Sequence, residues 1–409
     1  MMWAGIDFGT SNSAVALWRN GQVEAVELGD GNVTIPTALF FDEEEQELLS
    51  GDEANTALIE GYEGRYMRAL KSVLGTPLMS EKQFLLGQRR DFYDIISLFI
   101  LRLKRQAEET LGHELDNVVA GCPVTFMGVR QKARDDLRHC FERAGFKNIE
   151  FLTEPEAVAL AYNDHIQAGE YGLVVDIGGG TSDFTLFKKR DQQQIDVIST
   201  HGVDIGGTDF DQLLNFNYFM PNFGRGHVLK LGMSQGEVLA PNKFYSDLSS
   251  WPMIPFSYSL DNIKLVKEMV KQAYEPEYFK RLLTILEERL GHDLAFAAER
   301  TKIDLNGSDA AIEVELGFIE KDLGFSVLQD DFNASMLTFQ DKIEAAIIDC
   351  IRLGDITADQ VQNVVLVGGS SSMNFVKKAI ENTLPDSTTR QEAIFTAISD
   401  GLAVRASQL

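Results

Sequence analysis

The sequence has 409 residues, of which 44% are hydrophobic and 24% are charged, and this composition is typical of a globular protein with two or more domains. Its formal net charge of −25 argues against nucleic-acid binding, because that function needs clustered lysine and arginine residues to bind the phosphates. The three cysteines, Cys122, Cys140 and Cys350, fit no metal-ligand spacing, and we expect reduced thiols in a cytoplasmic protein.

The amino terminus, "MMWAGIDFGT", has no basic region of the kind that begins a signal peptide. The longest apolar stretch, residues 92–103, is too short to span a membrane, and its spacing predicts a packed helix. We therefore expect no membrane partner.

The first predicted element with chemical content is "GIDFGTSNSAVALW", residues 5–18. An apolar strand ends at Asp7, a turn follows at Gly9 with hydroxyl-bearing neighbours, and a second apolar strand begins. A third strand is predicted at 22–28, so the stretch predicts a β-meander with a carboxylate and a glycine at its first turn.

The next elements alternate between strand and helix. Residues 115–126 predict a strand that ends at Pro123, and residues 128–145 predict a helix that stops at Gly145. Residues 149–162 predict a short strand and then a helix, with Thr153 as N-cap and Pro155 in the first turn.

The stretch "VVDIGGGTSDFTLF", residues 174–187, repeats the design of the first hairpin and is followed by a predicted strand at 195–200. Asp176 matches Asp7, and Gly178 matches Gly9. Three successive glycines form a tight turn in one interpretation, whereas in the other they let a phosphate approach the backbone N–H groups. Because the motif occurs twice, we favour two lobes around one phosphate chain, with Asp176 near a hydrated Mg²⁺.

The carboxy-terminal half begins with residues 222–262, which lack periodicity and collect glycine, proline and aromatic residues, so we predict a surface insertion there. Helices are predicted around 263–274, 278–290, 332–352, 374–384 and 392–407, with a strand at 363–373. The last helix carries small residues suited to close packing. The alternation of strands and helices predicts an α/β protein.

These motifs occur in an order that resembles the nucleotide-binding domain of the DnaK-type heat-shock chaperones, within the actin-like ATPase superfamily. The resemblance rests on the following segments: "GIDFGTSNSAVA", "LKSVLG", "LTEPEAVALAY", "VVDIGGGTSDFTLF", "DIGGTDFD", "AERTKIDL" and "VVLVGGSSSM". It implies an actin-like ATPase fold, with two lobes, each built on a β-meander in a mixed sheet with flanking helices, and a nucleotide cleft between them. Lobe I would span 1–168 and lobe II 169–409, with the insertion at about 222–262.

The same resemblance implies ATP or ADP and Mg²⁺ as ligands. It gives catalytic roles to Lys71, Glu154, Asp176 and Asp183, and a metal role, through water, to Asp7 and Asp176. It implies nucleotide contacts from Gly9, Thr10, Ser11, Asn12, Gly178, Gly179, Gly180, Thr181, Gly206, Gly207, Glu299, Lys302, Gly368, Gly369 and Ser370. Other interpretations stay open for two of these residues: Lys71 as an ordinary surface lysine, and Glu154 as a carboxylate that favours a helix N-terminus.

The sequence departs from the family pattern at two positions that are expected to contact the adenine base. Where family members place two arginines against the base, this chain has Ile303 and Ser372. Each such cation–π contact contributes roughly 0.5–2 kcal/mol, so we expect weaker ATP binding and less exclusion of GTP. The chain ends at Leu409, and it resembles short YegD-type putative chaperones that lack a peptide-binding domain.

The function we predict is an ATP-hydrolysing, chaperone-like switch whose nucleotide state is read by a protein partner. Three alternatives remain at this stage: a nucleotide sensor with little turnover, an actin-like filament ATPase, and a small-molecule kinase of the same superfamily. The aromatic residues of 222–262, Trp251 among them, either pack on the second lobe or form a surface for the partner.

Overall fold

The computed structural model describes residues 2–29, 31–124, 130–162, 165–190, 194–230, 236–308, 310–391 and 394–409. Contacts divide the chain into two compact units. Unit 1 comprises Met1–Asp204, Ile343–Ser372 and Ala379–Leu409, and unit 2 comprises Ile205–Lys342 and Met373–Lys378. The division of the chain into lobes at residue 168 stays a prediction.

The first large sheet of unit 1 begins with the hairpin Trp3–Phe8 and Asn12–Arg19, which we call the first hairpin. The order of strands across the sheet is Asn148–Thr153, Asn117–Cys122, Trp3–Phe8, Asn12–Arg19 and Gln22–Ala25, and Thr34–Pro36 also pairs with Asn12–Arg19. Trp3–Phe8 pairs antiparallel with its hairpin partner and parallel with Asn117–Cys122.

The second large sheet of unit 1 has the same arrangement. The second hairpin consists of Tyr171–Ile177 and Ser182–Lys189, and the order across the sheet is Ile195–Val203, Ser182–Lys189, Tyr171–Ile177, Val361–Val367 and Thr388–Arg390. Its first two pairings are antiparallel and its last two parallel, and the first sheet has the same sequence of pairings when it is followed from Gln22–Ala25 to Asn148–Thr153. The repeat seen in the sequence is therefore also a repeat of topology, and the predicted mixed α/β fold is confirmed.

The remaining elements of unit 1 flank these sheets. Its helices are Asp52–Ile59, Phe92–Leu111, Arg130–Arg143, Glu154–Ala161 and Ala397–Ala406, with 3₁₀ turns at Leu70–Val73, Pro77–Ser80, Ala358–Gln360 and Gly369–Ser372. Its smaller sheets pair Ala38–Asp42 with Glu47–Ser50 and Gly64–Arg68, and Gln83–Leu85 with Gln88–Arg90.

Two helices of unit 1 belong to a buried cluster that contains side chains from both large sheets. Val158 of Glu154–Ala161 and Leu402 of Ala397–Ala406 share this cluster with Val119 and Val174. The helices cross so closely that a Cβ atom at Gly401 would overlap the carbonyl oxygen of Ala157. The predicted close packing of the last helix is thus confirmed, and it fixes the helix that begins at Glu154.

Unit 2 is mostly helical. Its helices are Gly207–Leu214, Asn242–Ser249, Ile254–Ser257, Leu260–Gln272, Pro276–Glu287, Gly291–Asn306 and Gln329–Ser335, with a π-turn at Asn215–Phe219 and 3₁₀ turns at Met220–Phe223 and Trp251–Met253. Two hairpins complete it: Val228–Lys230 with Glu237–Leu239, and Ile312–Glu315 with Gly324–Val327. The boundary between the units falls within the helices Leu337–Leu353 and Asn374–Thr383.

Several predicted bounds are corrected. The helix expected at 332–352 is interrupted at Met336, whose φ of −88° and ψ of −2° separate the helix Gln329–Ser335 from the helix Leu337–Leu353. The predicted insertion, 222–262, has regular helices rather than irregular structure. The start of the helix predicted at 128–145 and of the helix predicted at 392–407 lies outside the described residues, whereas Gly145 has a φ of +89° and ends the former as expected.

Candidate functional site

Asp7 and Asp176 occupy equivalent places in the two hairpins of unit 1. Each is the last residue but one of its strand, directly before the turn. In the second hairpin Asp176 lies opposite Asp183, and the N–H of Gly178 donates to the carbonyl of Thr181 at 3.0 Å. The tight-turn interpretation and the phosphate interpretation of these glycines are therefore compatible, since the turn exists and its backbone carries no side chains.

The two turns approach each other. A Cβ atom at Gly179 would lie 2.2 Å from the Oγ atom of Ser11, whereas one at Gly180 would meet nothing within 4 Å. In the first turn a Cβ at Gly9 would lie 2.1 Å from the carbonyl oxygen of Asn12. Backbone thus excludes a side chain at Gly9, a side chain at Gly179 would have to displace the Ser11 hydroxyl, and at Gly180 there is open space.

Lys71 and Glu154 form an ion pair within unit 1. The Nζ atom of Lys71 lies 2.6 Å from Oε1 of Glu154, and the two side chains are 11% and 13% exposed. Burial opposes the charge on Lys71, but Glu154 and Asp7 outweigh it and raise the pKa of the ammonium above its usual value. Lys71 is therefore not an ordinary surface lysine.

Glu154 is the first residue of the helix Glu154–Ala161, next to the N-cap Thr153. Glu156 caps the start of this helix, because its Oε2 atom accepts a hydrogen bond from the N–H of Thr153 at 3.1 Å. Glu154 therefore lies in the first helical turn, where a carboxylate is favourable, and also pairs with Lys71, while its catalytic role stays a prediction.

Three aspartates of the site have carboxyl groups with raised pKa values. Removal from water raises the pKa of Asp7 to about 7, with Lys71 lowering it and Glu154 raising it. Burial, and then the charge of Glu154, raise the pKa of Asp183 to about 6 and that of Asp176 well above its usual value. Four carboxylates thus interact with one lysine, and the cluster has an excess of negative charge.

The excess charge fits a divalent cation. Oδ1 of Asp7 is buried and has no hydrogen-bond partner. Among the described residues no group of three or more histidine, cysteine, aspartate or glutamate side chains is arranged to enclose a metal. Mg²⁺ needs no such cage, because it is commonly held by one or two carboxylates together with water and substrate phosphates. The donor set around Asp7 and Asp176 fits Mg²⁺ of this kind.

The glycines of "VGGSSS" lie beside the second hairpin. Gly368 has a φ of +78°, and a Cβ atom there would lie 3.0 Å from Oδ1 of Asp176. The hydroxyls of Ser371 and Ser372 donate to the carbonyls of Gly368 and Gly369 at 2.7 and 2.8 Å. The chain thus turns back on itself after Val367, and Ser370 lies within this turn.

Sequence reasoning missed residues that line a small cavity beside Glu154. The cavity has a volume of about 20 Å³, enough for one water molecule, and its lining includes Asp176, Asp183, Thr185 and Thr200. Thr185 lies on the strand Ser182–Lys189 two residues after Asp183, and a period of two places both on one face. That period was the available signal for Thr185, whereas nothing in the sequence pointed to Thr200.

The other predicted nucleotide residues lie in unit 2. Lys302 is buried, and its Nζ atom lies 2.7 Å from Oδ1 of Asp211 and donates to the carbonyl of Gly207 at 3.4 Å. Gly206 donates its N–H to Asp209 at 2.8 Å. The helix Gly291–Asn306 carries both Glu299 and Lys302, and Ile303 on the same helix is 60% exposed.

The aromatic residues of 222–262 divide into buried and exposed groups. Phe223, Phe244 and Tyr245 are buried, whereas Phe256 is 70% exposed. The ring of Trp251 is half-buried, with its centroid 4.9 Å from that of His292. Self-packing therefore accounts for part of this aromatic set, and a cavity of about 250 Å³ lies beside Phe256.

Three further observations bear on the class of protein. Within the described ranges, no helix combines the length and apolarity needed to cross a bilayer. Cys122, Cys140 and Cys350 are free and buried, and burial raises the pKa of the Cys122 thiol to about 11.

The sequence is similar to known proteins over most of its length. A family model described as "Hsp70 protein" matches residues 3–239 and 272–408, and the unmatched stretch overlaps the predicted insertion. Chaperone protein DnaK of Mesomycoplasma hyopneumoniae is 25% identical over 99% of this chain and 58% of its own length. Chaperone protein DnaK of Endomicrobium trichonymphae is 26% identical over 99% of this chain and 57% of its own length. That of Thermosipho africanus is 34% identical over 56% of this chain and 37% of its own length. The chain therefore spans less than three fifths of each of these relatives.

Proposed function

This chain belongs to the Hsp70 family, and we propose that it is a magnesium-dependent ATPase that acts as a chaperone-like switch. ATP and ADP are its ligands, and a protein partner reads which of them is bound. The free, buried cysteines favour a reducing compartment, so we propose the cytoplasm.

One observation carries the proposal: the ion pair of Lys71 and Glu154 lies among the carboxylates of Asp7 and Asp176. A cluster with this excess of negative charge is costly unless a ligand compensates it. Glycine turns adjoin the same carboxylates, and backbone without side chains leaves room for phosphate oxygens. A polyphosphate with its cation supplies both kinds of charge.

Each of these residues has a role in the proposed reaction. Backbone N–H groups of the two turns, with the hydroxyls of Thr10, Ser11 and Thr181, bind the phosphates, and Asn12 and Ser370 complete the nucleotide contacts. Lys71 stabilises charge on the γ-phosphate side and orients the attacking water, and Glu154 holds Lys71 in place. Asp183, to which Thr181 donates at 3.3 Å, positions that water. Mg²⁺, when bound near Asp7 and Asp176, neutralises phosphate charge.

The adenosine is bound by Glu299 and Lys302 at the ribose and by Gly206, Gly207, Gly368 and Gly369 near the base. A nucleotide sensor with little turnover is the second candidate, and the residues at the two expected arginine positions favour it. Ile303 is an exposed aliphatic side chain, and the hydroxyl of Ser372 donates a hydrogen bond to the carbonyl of Gly369. A sensor binds ATP and hydrolyses it slowly at most.

The experiment is an ATP hydrolysis assay with and without Mg²⁺ and with no added acceptor. Lys71→Ala should lower kcat by about 10²–10³ and leave ATP binding nearly intact, because it removes a preorganised charge. Lys147→Ala is the matched control, since Lys147 also pairs with a carboxylate, that of Asp116 at 2.9 Å, but is 71% exposed. An ATPase rate that Lys71→Ala does not change contradicts the catalytic role, and ATP binding without hydrolysis by the wild-type protein selects the sensor.

A further inference from the structure

Lys71 lies in an irregular segment whose backbone needs external support. The 3₁₀ turn Leu70–Val73 is preceded by Ala69, which has a φ of +54°, a conformation that residues with a side chain rarely adopt. After the turn, Gly75 has a φ of +80°. Lys71 lies in this 3₁₀ turn and not within a strand or a long helix, so its position depends on what fixes the segment 69–76.

The helix Arg130–Arg143 supplies that support. A Cβ atom at Gly75 would lie 3.0 Å from the Cβ of Ala133, so the segment and the helix are in close contact. Lys132 donates to the carbonyls of Gly75 and Thr76 at 3.3 and 3.1 Å. The N–H of Gly75 donates to Oδ2 of Asp136 at 3.0 Å.

Asp136 is a buried residue whose carboxylate accepts two hydrogen bonds. It is 6% exposed, and its Oδ1 atom accepts from the hydroxyl of Tyr93 at 2.6 Å. Burial, and then this hydrogen bond, raise the pKa of Tyr93 to about 12, so the phenol keeps the proton that it donates. Lys132, one helical turn earlier, lies 3.7 Å from Oδ2. Tyr93 thus orients the carboxylate through Oδ1, and Oδ2 accepts the hydrogen bond from the N–H of Gly75.

We propose that Asp136 is a positioning residue for the reaction, which holds the segment 69–76 through the N–H of Gly75 so that Lys71 meets Glu154. The inference rests on the proposed function, because it concerns the same lysine. Asp136 touches neither nucleotide nor water in this account and acts only through the backbone that carries Lys71. Its loss therefore lowers turnover without weakening ATP binding.

The first test compares Asp136→Ala with Asp135→Ala, an exposed aspartate on the same helix. Asp136→Ala should lower kcat by about 10–100-fold, the scale for a misplacement of roughly 1 Å, with the dissociation constant of ATP changed by less than about threefold. In a Lys71→Ala background the same substitution should lower kcat by less than about twofold, because the lysine that Asp136 positions is then absent. Equal kcat values for the two aspartate variants, or a full loss in the Lys71→Ala background, overturn the proposal.

The second test needs no turnover, so it separates failure of this inference from failure of the proposed function. Acylation of Lys71 by an amine-reactive ester is measured by mass spectrometry relative to Lys147 in the same sample. Asp136→Ala should raise the ratio about fivefold or more, because the ion pair that protects Lys71 is loosened, and Asp135→Ala should not change it. An unchanged ratio overturns the positioning role even if the wild-type protein hydrolyses no ATP.

Tyr93→Phe provides the same tests if Asp136→Ala does not fold. It keeps the ring and removes one of the two short hydrogen bonds to Asp136. We expect changes of kcat and of the acylation ratio in the same direction, about two- to fivefold. Wild-type values of both quantities in this variant also contradict the inference.

Discussion

Gly179 and Ser11 lie in the turns of two different hairpins, and a Cβ atom at Gly179 would lie 2.2 Å from the Oγ of Ser11. The relationship ties together two segments more than 160 residues apart in sequence that share one motif. It also means that a side chain at Gly179 would have to displace the hydroxyl of Ser11 even when no ligand is bound.

Gly179→Ala should therefore destabilise the protein by about 1–2 kcal/mol in the absence of nucleotide, the usual cost of overpacking. Gly180→Ala, next in sequence and in open space, is the matched control and should change the free energy of unfolding little. The distance from this Cβ position to the Cβ of Ser11 is 3.5 Å, an ordinary contact, so adding Ser11→Ala should restore stability. Chemical denaturation measures all three, and equal stability of the two single variants would show that the turns are farther apart.

The raised pKa of Asp7 predicts a pH-dependent effect of Asp7→Asn on stability without nucleotide or divalent cation. The carboxyl has a pKa of about 7 when folded and 3.8 as its ordinary value, so between these pH values the unfolded chain loses the proton and the folded one keeps it. The wild-type protein thus loses stability as pH rises through this window, and the penalty is constant above it. Asp7→Asn has no such penalty.

The stability gained by Asp7→Asn should increase by about 2–3 kcal/mol between pH 5 and pH 8, as two pKa units imply. Urea unfolding at four pH values measures it. Asp359→Asn, at an exposed aspartate, controls for the general effect of one fewer negative charge. A gain that is the same at pH 5 and pH 8 would show that the Asp7 carboxylate is not desolvated.

The adenine prediction concerns Ile303 and Ser372. Ile303→Arg and Ser372→Arg should each tighten ATP binding, because a guanidinium over the base contributes about 0.5–2 kcal/mol. Ile303 is 60% exposed, so arginine fits there without repacking, and Ile348→Arg, at an isoleucine that is 55% exposed, is the matched control. Calorimetry that finds no gain for either variant would show that these positions do not face the base.

Trp251 should report on the nucleotide state. Its ring lies 4.9 Å from His292 and 5.1 Å from Phe296, and both lie on the helix that carries Glu299 and Lys302. A nucleotide that shifts this helix changes the surroundings of the indole. After Trp3 and Trp18 are replaced by phenylalanine, we expect ATP to shift the emission of Trp251, and an unchanged emission would leave the insertion as scaffolding.

The parts of the protein that the sequence predicted best have local causes. Both hairpins follow from alternating apolar residues and glycine turns, and the end of the helix Arg130–Arg143 follows from Gly145. The break at Met336 spans a single residue and does not interrupt the apolar spacing, so the sequence pattern could not predict it. The helix Asn242–Ser249 was missed because eight residues are too few for a clear period.

Asp136 illustrates what sequence pattern leaves out. It reads as one acidic residue among several on an amphipathic helix, while its partners Gly75 and Tyr93 are 61 and 43 residues away. The same holds for Thr200, which reaches the cavity beside Glu154 through sheet pairing. Motifs locate the residues that meet the ligand, and tertiary contacts decide which residues hold them.

The most direct measurement is a crystal structure of the protein soaked with ATP and Mg²⁺. We expect phosphate density against the turns that begin at Gly9 and Gly178, a hydrated Mg²⁺ near Asp7 and Asp176, and Lys71 on the γ-phosphate side. Nucleotide bound elsewhere, or a site in which Asp7 and Asp176 face no phosphate, would contradict it.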